Sequence, residues 1–274
     1  MAAVDDLGKH GKDSRAVQSN LVQLNQHQVI LYRISIPNDD DSIALIRVHG
    51  ILMIVTWIFI VSTGMLISRY FKETWKNALI GRTAAWFDVH RLLMSLAAIL
   101  TLVGFFVIVI FLQGTWIHRG WTRSYAHSVT GALVIGLAYC QLFMALFRCE
   151  SSSRYRWIFN TLHAVAGVVA FVLSVVTLFL ATYMSLFRDI RARIVMMVWT
   201  GWIVVVFTSF ECIHIHYGKR YSRDSEETPL VAIQSPDDRA AAEFGHVVKT
   251  LLLVVHIFVA ILLSTLFVAV VVTS

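Results

Sequence analysis

Long apolar runs separated by short polar stretches dominate the chain. Six of them, at about 46–68, 91–113, 126–147, 161–187, 194–216 and 247–272, are long enough to cross a membrane, since a spanning helix needs roughly 20 mostly apolar residues. The runs are apolar throughout and do not alternate, which excludes the strands of a membrane barrel and predicts helices. Residues 1–44 are a non-membrane segment without a basic start followed by an apolar core, so no cleavable signal peptide is expected. Within it the stretch 22–36 (VQLNQHQVILYRISI) alternates weakly and predicts a strand or the remnant of one. The stretch 218–245 is polar, carries proline and predicts a flexible loop. The expected fold is an all-α membrane protein, a six-transmembrane-helix bundle over 45–272.

Composition agrees with that pattern. The chain has 274 residues, 57% hydrophobic and 15% charged, whereas soluble domains carry about 25% charged residues. This excludes a disordered chain, an ordinary soluble enzyme and a basic nucleic-acid-binding domain. The net charge of +6 is spread in clusters between the spans. Arg69, Lys72, Lys76 and Arg82 follow span 1, Arg148, Arg154 and Arg156 follow span 3, and Lys219, Arg220, Arg223 and Arg239 follow span 5. The opposite side carries fewer, at Arg119, Arg123, Arg188, Arg191 and Arg193. The more basic side belongs in the cytosol, which puts both termini on the luminal or extracellular face. The three cysteines, Cys140, Cys149 and Cys212, have neither a disulfide framework nor metal-site spacing.

The chemistry lies in the histidines, because an imidazole inside a bilayer is costly and marks a functional site. Four of the eleven, His49, His90, His127 and His163, stand near the starts of spans 1 to 4. Successive spans reverse direction, so His49 and His127 lie toward the luminal face and His90 and His163 toward the cytosolic face. Two pairs at two depths suit two haems, one near each surface, with both axial positions of each iron filled by imidazole. The spans repeat in kind: His49-Gly-Ile-Leu-Met53 and His90-Arg-Leu-Leu-Met94, then His127-Ser-Val-Thr-Gly131 and His163-Ala-Val-Ala-Gly167. Positions i and i+4 share a helix face; glycine there leaves room for a flat macrocycle, and methionine offers an adaptable wall. The expected pairs are His49 with His127 and His90 with His163, in a four-helix core with spans 5 and 6 packed outside it. One histidine at a span end is more often an interfacial residue bonded to a carbonyl, but four in register with matched partners point to ligands.

Other histidines read differently. His10 and His27 lie in the N-terminal segment, His118 lies in a polar loop, and His214, His216 and His246 lie at span ends. His256 is mid-span without a partner at matching depth and reads as a packing residue, with a proton- or electron-path role as the alternative. No two histidines show the 13–14-residue spacing of architectures that stack two haems between two helices.

The segments RVHGILMIVTW, AAWFDVHRLLM, YAHSVTGALV and FNTLHAVAGVVAFVL resemble the cytochrome b561 family. With the run ISRYFKETWKNALIGRTAAWFDVHR, the likeness is to its ferric-chelate reductase branch, in which the membrane module follows an extracellular DOMON domain. The resemblance covers roughly 45–270, and only 44 residues precede span 1, so no full DOMON domain is expected. It implies two haem b groups and a transmembrane oxidoreductase. Cytosolic ascorbate would be the electron donor, and a ferric chelate, or in the wider family monodehydroascorbate, the acceptor on the far side. No catalytic side chain is assigned. Imidazole on both axial sides leaves no open iron position and favours outer-sphere electron transfer.

Arg47 and Arg91 lie at the depth where haem propionates would emerge, and an Arg–carboxylate contact there is the functional reading; snorkelling anchors are the alternative. Lys76 and Arg82, with Arg69, Lys72, Arg154 and Arg156, form a basic rim that would attract anionic ascorbate, or simply obey the positive-inside rule. A transporter would show broken helices or mid-depth carboxylates, and the acidic residue nearest a span interior is Glu211, close to the end of span 5. A haem-free scaffold or receptor is the remaining alternative. The expected setting is a multi-pass protein of the plasma membrane or an endomembrane vesicle, in contact with lipid and not with nucleic acid, with monomer and homodimer both open.

Overall fold

A computed structural model describes residues 39–75, 78–80, 82–117, 122–147, 153–184, 189–226 and 236–273 of the chain. The strand expected at 22–36 lies outside the described residues. The chain divides into two units, Met1–Ile46 and Arg47–Ser274. Helix α1 (Asp39–Ile54) runs into a π-helical segment (Val55–Val61) and then α2 (Ser62–Tyr70). A two-stranded antiparallel hairpin follows, β1 (Leu79–Ile80) with β2 (Thr83–Ala84). Then come α3 (Ala85–Phe111), α4 (Thr122–Leu146), α5 (Arg156–Ala181), α6 (Ile190–Glu226) and α7 (Pro236–Thr273).

Six helical stretches are long and apolar enough to span a membrane: Ser42–Tyr70, Ala85–Phe111, Thr122–Leu146, Arg156–Ala181, Ile190–His216 and Glu243–Thr273. These are spans 1 to 6, and the protein is a multi-pass integral membrane protein. In hydrocarbon every backbone polar group must bond within its own element, which is why uniformly apolar runs become unbroken helices. The ends differ from those read off hydropathy. Span 2 opens at Ala85, where Asp88 in its first turn complements the positive end of the helix and accepts hydrogen bonds from Thr83 and Arg91. It stops where Gln113 and Gly114 turn left-handed, at φ 51° and 72°, and the Gly114 N–H returns to the Val109 carbonyl at 3.0 Å. Span 4 ends at Ala181, not near 187, with the Thr182 hydroxyl donating to the Phe179 carbonyl. Helix also occupies most of the polar stretch expected as a loop: α6 continues to Glu226, and α7 begins on Pro236, a residue suited to the first helical position.

Span 1 is the centre of the bundle, with 61% of its most apolar window buried against 6% for span 3. Its inner half packs against spans 5 and 6 around Leu66, Ile67, Tyr70, Phe71, Val206, Phe210 and Leu253. Spans 5 and 6 thus contribute to a buried core with span 1. The π-helical segment holds buried Thr56, Trp57, Ile58, Ile60 and Val61. Where it returns to α-helix, the Ser62 hydroxyl donates to the Ile58 and Phe59 carbonyls at 2.5 and 3.2 Å, satisfying main-chain groups that the wider turn leaves loose.

Candidate functional site

The four singled-out histidines lie five to ten residues inside their helices, at the fifth residue after Ala85 and Thr122, the seventh after Arg156 and the tenth after Asp39. At 1.5 Å per residue, the shortest of these depths is about 8 Å. The structure brings His49 and His127 together, with ring centres 6.4 Å apart and ring planes at 79°. Each ring is held from behind. His49 Nδ1 donates to the Gly104 carbonyl at 2.8 Å, and His127 Nδ1 donates to the Thr177 carbonyl at 2.9 Å. At the opposite end of span 1, His90 Nδ1 donates to the Gly64 carbonyl at 3.0 Å. A carbonyl accepts only from N–H, so Nδ1 carries the proton and the Nε2 lone pair is left for a metal. His163 lies in span 4 with its ring stacked on Phe159 at 5.6 Å and 13°.

Spans 1 and 2 hold each other's histidines. His49 of span 1 is anchored on Gly104 near the end of span 2, and His90 of span 2 on Gly64 near the end of span 1. The methionine one turn beyond each histidine covers the same glycine. A Cβ on Gly104 would overlap Met53 Cε, and one on Gly64 would overlap Met94 Cε. Glycine at these two positions is therefore a matter of close approach. In spans 3 and 4, Gly131 faces Thr177, whose carbonyl holds His127. The anchoring residues follow their own helix's histidine at a fixed interval: Gly104 is 14 residues after His90, Thr177 is 14 after His163, and Gly64 is 15 after His49. The extra residue in span 1 falls in the segment that contains the π-helix, which takes up one residue per turn more than an α-helix.

Among the described residues no three His, Cys, Asp or Glu side chains converge as a metal cluster. Imidazole is a side chain that a haem iron takes from a protein as its ligand. Arg47 is half-buried two residues before His49, and Arg91 is engaged by Asp88 at 2.9 Å and lies over Phe87 at 5.6 Å. Arg82 is exposed beside the hairpin, and Lys76 lies outside the described residues. Of the remaining rim, Arg69 pairs with Glu211 at 3.2 Å, and Lys72 lies 5.3 Å from the Trp86 ring centre. Arg154 and Arg156 lie over Tyr155 and Phe159. His256 is fully buried, bonded to Ser62 Oγ at 3.2 Å and packed on Trp199.

The sequence reading passed over the anchors Gly64, Gly104 and Thr177, which act through main-chain carbonyls and carry no chemical signature of their own. Their signal is the interval to the histidine, visible only when distances are measured from each histidine to every residue. It also passed over Lys249, which is 7% exposed within span 6, one turn from His246, whose Nδ1 bonds Thr74 Oγ1 at 2.9 Å. A charged residue buried in a span is a functional candidate by default.

Residues 48–188 match the sequence model of the eukaryotic cytochrome b561 family. The chain is 32% identical to ferric-chelate reductase 1 of Bos taurus over 257 residues, covering 89% of this chain and 42% of that protein. It is 37% identical to ferric-chelate reductase 1 of Homo sapiens over 139 residues, covering 51% and 23%. It is 33% identical to the Mus musculus protein of the same name over 228 residues, covering 80% and 37%. The chain therefore spans well under half the length of these curated relatives. No solved structure matches it.

Proposed function

The chain belongs to the eukaryotic cytochrome b561 family, and from that premise we propose that it carries electrons across the membrane through two haem b groups. His49 and His127 would hold one near the luminal or extracellular face, and His90 and His163 the other near the cytosolic face. The observation that carries this reading is the His49–His127 pair, with ring centres 6.4 Å apart and both Nδ1 atoms anchored on main-chain carbonyls. A bound haem would supply reversible one-electron chemistry.

The protein's own residues orient and tune. Gly104, Thr177 and Gly64 fix the tautomer and ring angle of three ligands. Met53 and Met94 close the seams over the anchoring glycines. At the cytosolic face the basic rim, including Arg82 and Lys76, favours an anionic donor. Ascorbate fits: it gives up one electron and a proton and becomes monodehydroascorbate. At the other face one electron reduces a ferric chelate to its ferrous form, the acceptor class suggested by the relatives' names. Arg47, two residues from His49, would meet a haem propionate.

The test is a reduced-minus-oxidised spectrum of the purified protein with haem quantitation, before and after ascorbate. Two low-spin haems b per chain, reduced by ascorbate, are expected; a chain without haem overturns the proposal. His49→Ala and His127→Ala should remove one and the same haem, and His90→Ala and His163→Ala the other. Loss of a common haem from His49→Ala and His90→Ala refutes the pairing.

A further inference from the structure

Each of the four histidine helices carries a residue 14 or 15 positions beyond its histidine, at the opposite end of the span: Gly64, Gly104, Gln141 and Thr177. Three of them anchor the histidine of the antiparallel neighbour: Gly64 holds His90, Gly104 holds His49, and Thr177 holds His127. The fourth, Gln141, stands on span 3, and the histidine of its neighbour, span 4, is His163.

The local geometry is matched on both sides of that seam. A Cβ on Gly131, one turn beyond His127, would meet Thr177 Cγ2 at 3.7 Å. A Cβ on Gly167, one turn beyond His163, would meet Gln141 Oε1 at 3.9 Å and Cδ at 4.0 Å. The Gln141 amide is thus directed into the seam at the level next to His163, on the face that His163 and Gly167 share. Its Nε2 is buried and has no hydrogen-bond partner among the described residues. A half-turn of the amide exchanges oxygen and nitrogen. An amide enclosed within a membrane bundle is costly without a bond.

We propose that Gln141 is the positioning residue of His163, its amide oxygen accepting the Nδ1–H of that ring. This rests on the two-haem reading and deepens it. Three ligands are then held by main-chain carbonyls, whose chemistry is the same for every residue, and one by a side chain, whose chemistry substitution alters. A stronger acceptor behind an imidazole raises its basicity and favours the ferric state, lowering the reduction potential; removing the acceptor does the reverse.

The experiment is a redox titration of the full chain in detergent, with the electron paramagnetic resonance signals of the two low-spin haems followed separately. The His90→Ala variant assigns the signals. Gln141→Glu should lower the potential of the His90/His163 haem, and Gln141→Leu should raise it or release that haem alone. The His49/His127 haem should not move in either variant. Equal shifts in both haems, no shift in either, or shifts of the same sign for Glu and Leu overturn the assignment. If Gln141→Leu does not fold, the sign and selectivity of the Gln141→Glu shift decide. Two wild-type haems with potentials indifferent to Gln141 overturn this assignment alone, whereas a wild type without haem overturns the reading beneath it.

Discussion

Gly104→Ala tests the exchange of anchors between spans 1 and 2 from the helix that does not carry the affected ligand. The added Cβ overlaps Met53 Cε and stands 3.5 Å from Leu52 Cβ and 3.8 Å from His49 Nδ1. Leu52 Cβ stays in ordinary van der Waals contact, so the strain falls on Met53, whose flexible end must leave its place over the seam. Overpacking of this kind costs about 1–3 kcal/mol, and displacing Met53 uncovers the 2.8 Å bond that holds His49. At about 1.4 kcal/mol per factor of ten, retention of the haem between His49 and His127 should weaken by about 5- to 150-fold. The assay is haem content per chain after graded washing, each haem identified by its spectrum. Gly64→Ala should mirror the result at the His90/His163 haem. Met53→Ala on the Gly104→Ala background removes the overlapping atom and should restore retention, a double-mutant cycle with a coupling of the same size. Gly104 and His90 share a helix, so a disturbance confined to that helix would strike the other haem. Depletion of the His90/His163 haem by Gly104→Ala, or failure of the Met53 rescue, refutes the reasoning.

Two further outcomes follow from span 1. Deleting Phe59 from the π-helical segment should convert it to α-helix and restore the interval of the other helices, so both haems are retained. Deleting one residue between His90 and Gly104, by contrast, should abolish the His49/His127 site; equal damage from both deletions, read as haem content, contradicts this. The single Ser62 proton is shared by the Ile58 and Phe59 carbonyls, so His256 is the donor in its hydrogen bond with Ser62. Ser62→Ala then leaves a buried N–H unsatisfied and should lower stability by about 1–3 kcal/mol, measured as a lower Tm in detergent with haem content unchanged.

Much of this architecture is written in hydropathy, because lipid leaves an apolar run no alternative to helix. Hydropathy does not see helix ends, which depend on local hydrogen bonds such as those of Asp88, Gly114 and Thr182. The two-residue strands at Leu79–Ile80 and Thr83–Ala84 are too short for any period to register. The four histidines were legible because imidazole in a membrane is rare and their i+4 neighbours repeat. Their anchors were not, because a carbonyl belongs to every residue and only packing decides which one faces a ring. The π-helix was hidden for a related reason: one extra residue is invisible until an interval exists to compare it with. Lys249 escaped because its long apolar stem lets it pass in an apolar run.

The interval from histidine to anchor also acts as a ruler. Fourteen residues of helix measure about 21 Å, and a helix barely stretches along its axis. Because the same length recurs in antiparallel neighbours, the separation of the two ligand levels is a property of the backbone and not of the lipid. A thicker or thinner bilayer can tilt the bundle or reshape its own edge, but it cannot draw the two levels apart. Electron passage through such a protein would keep one distance in bilayers of different thickness.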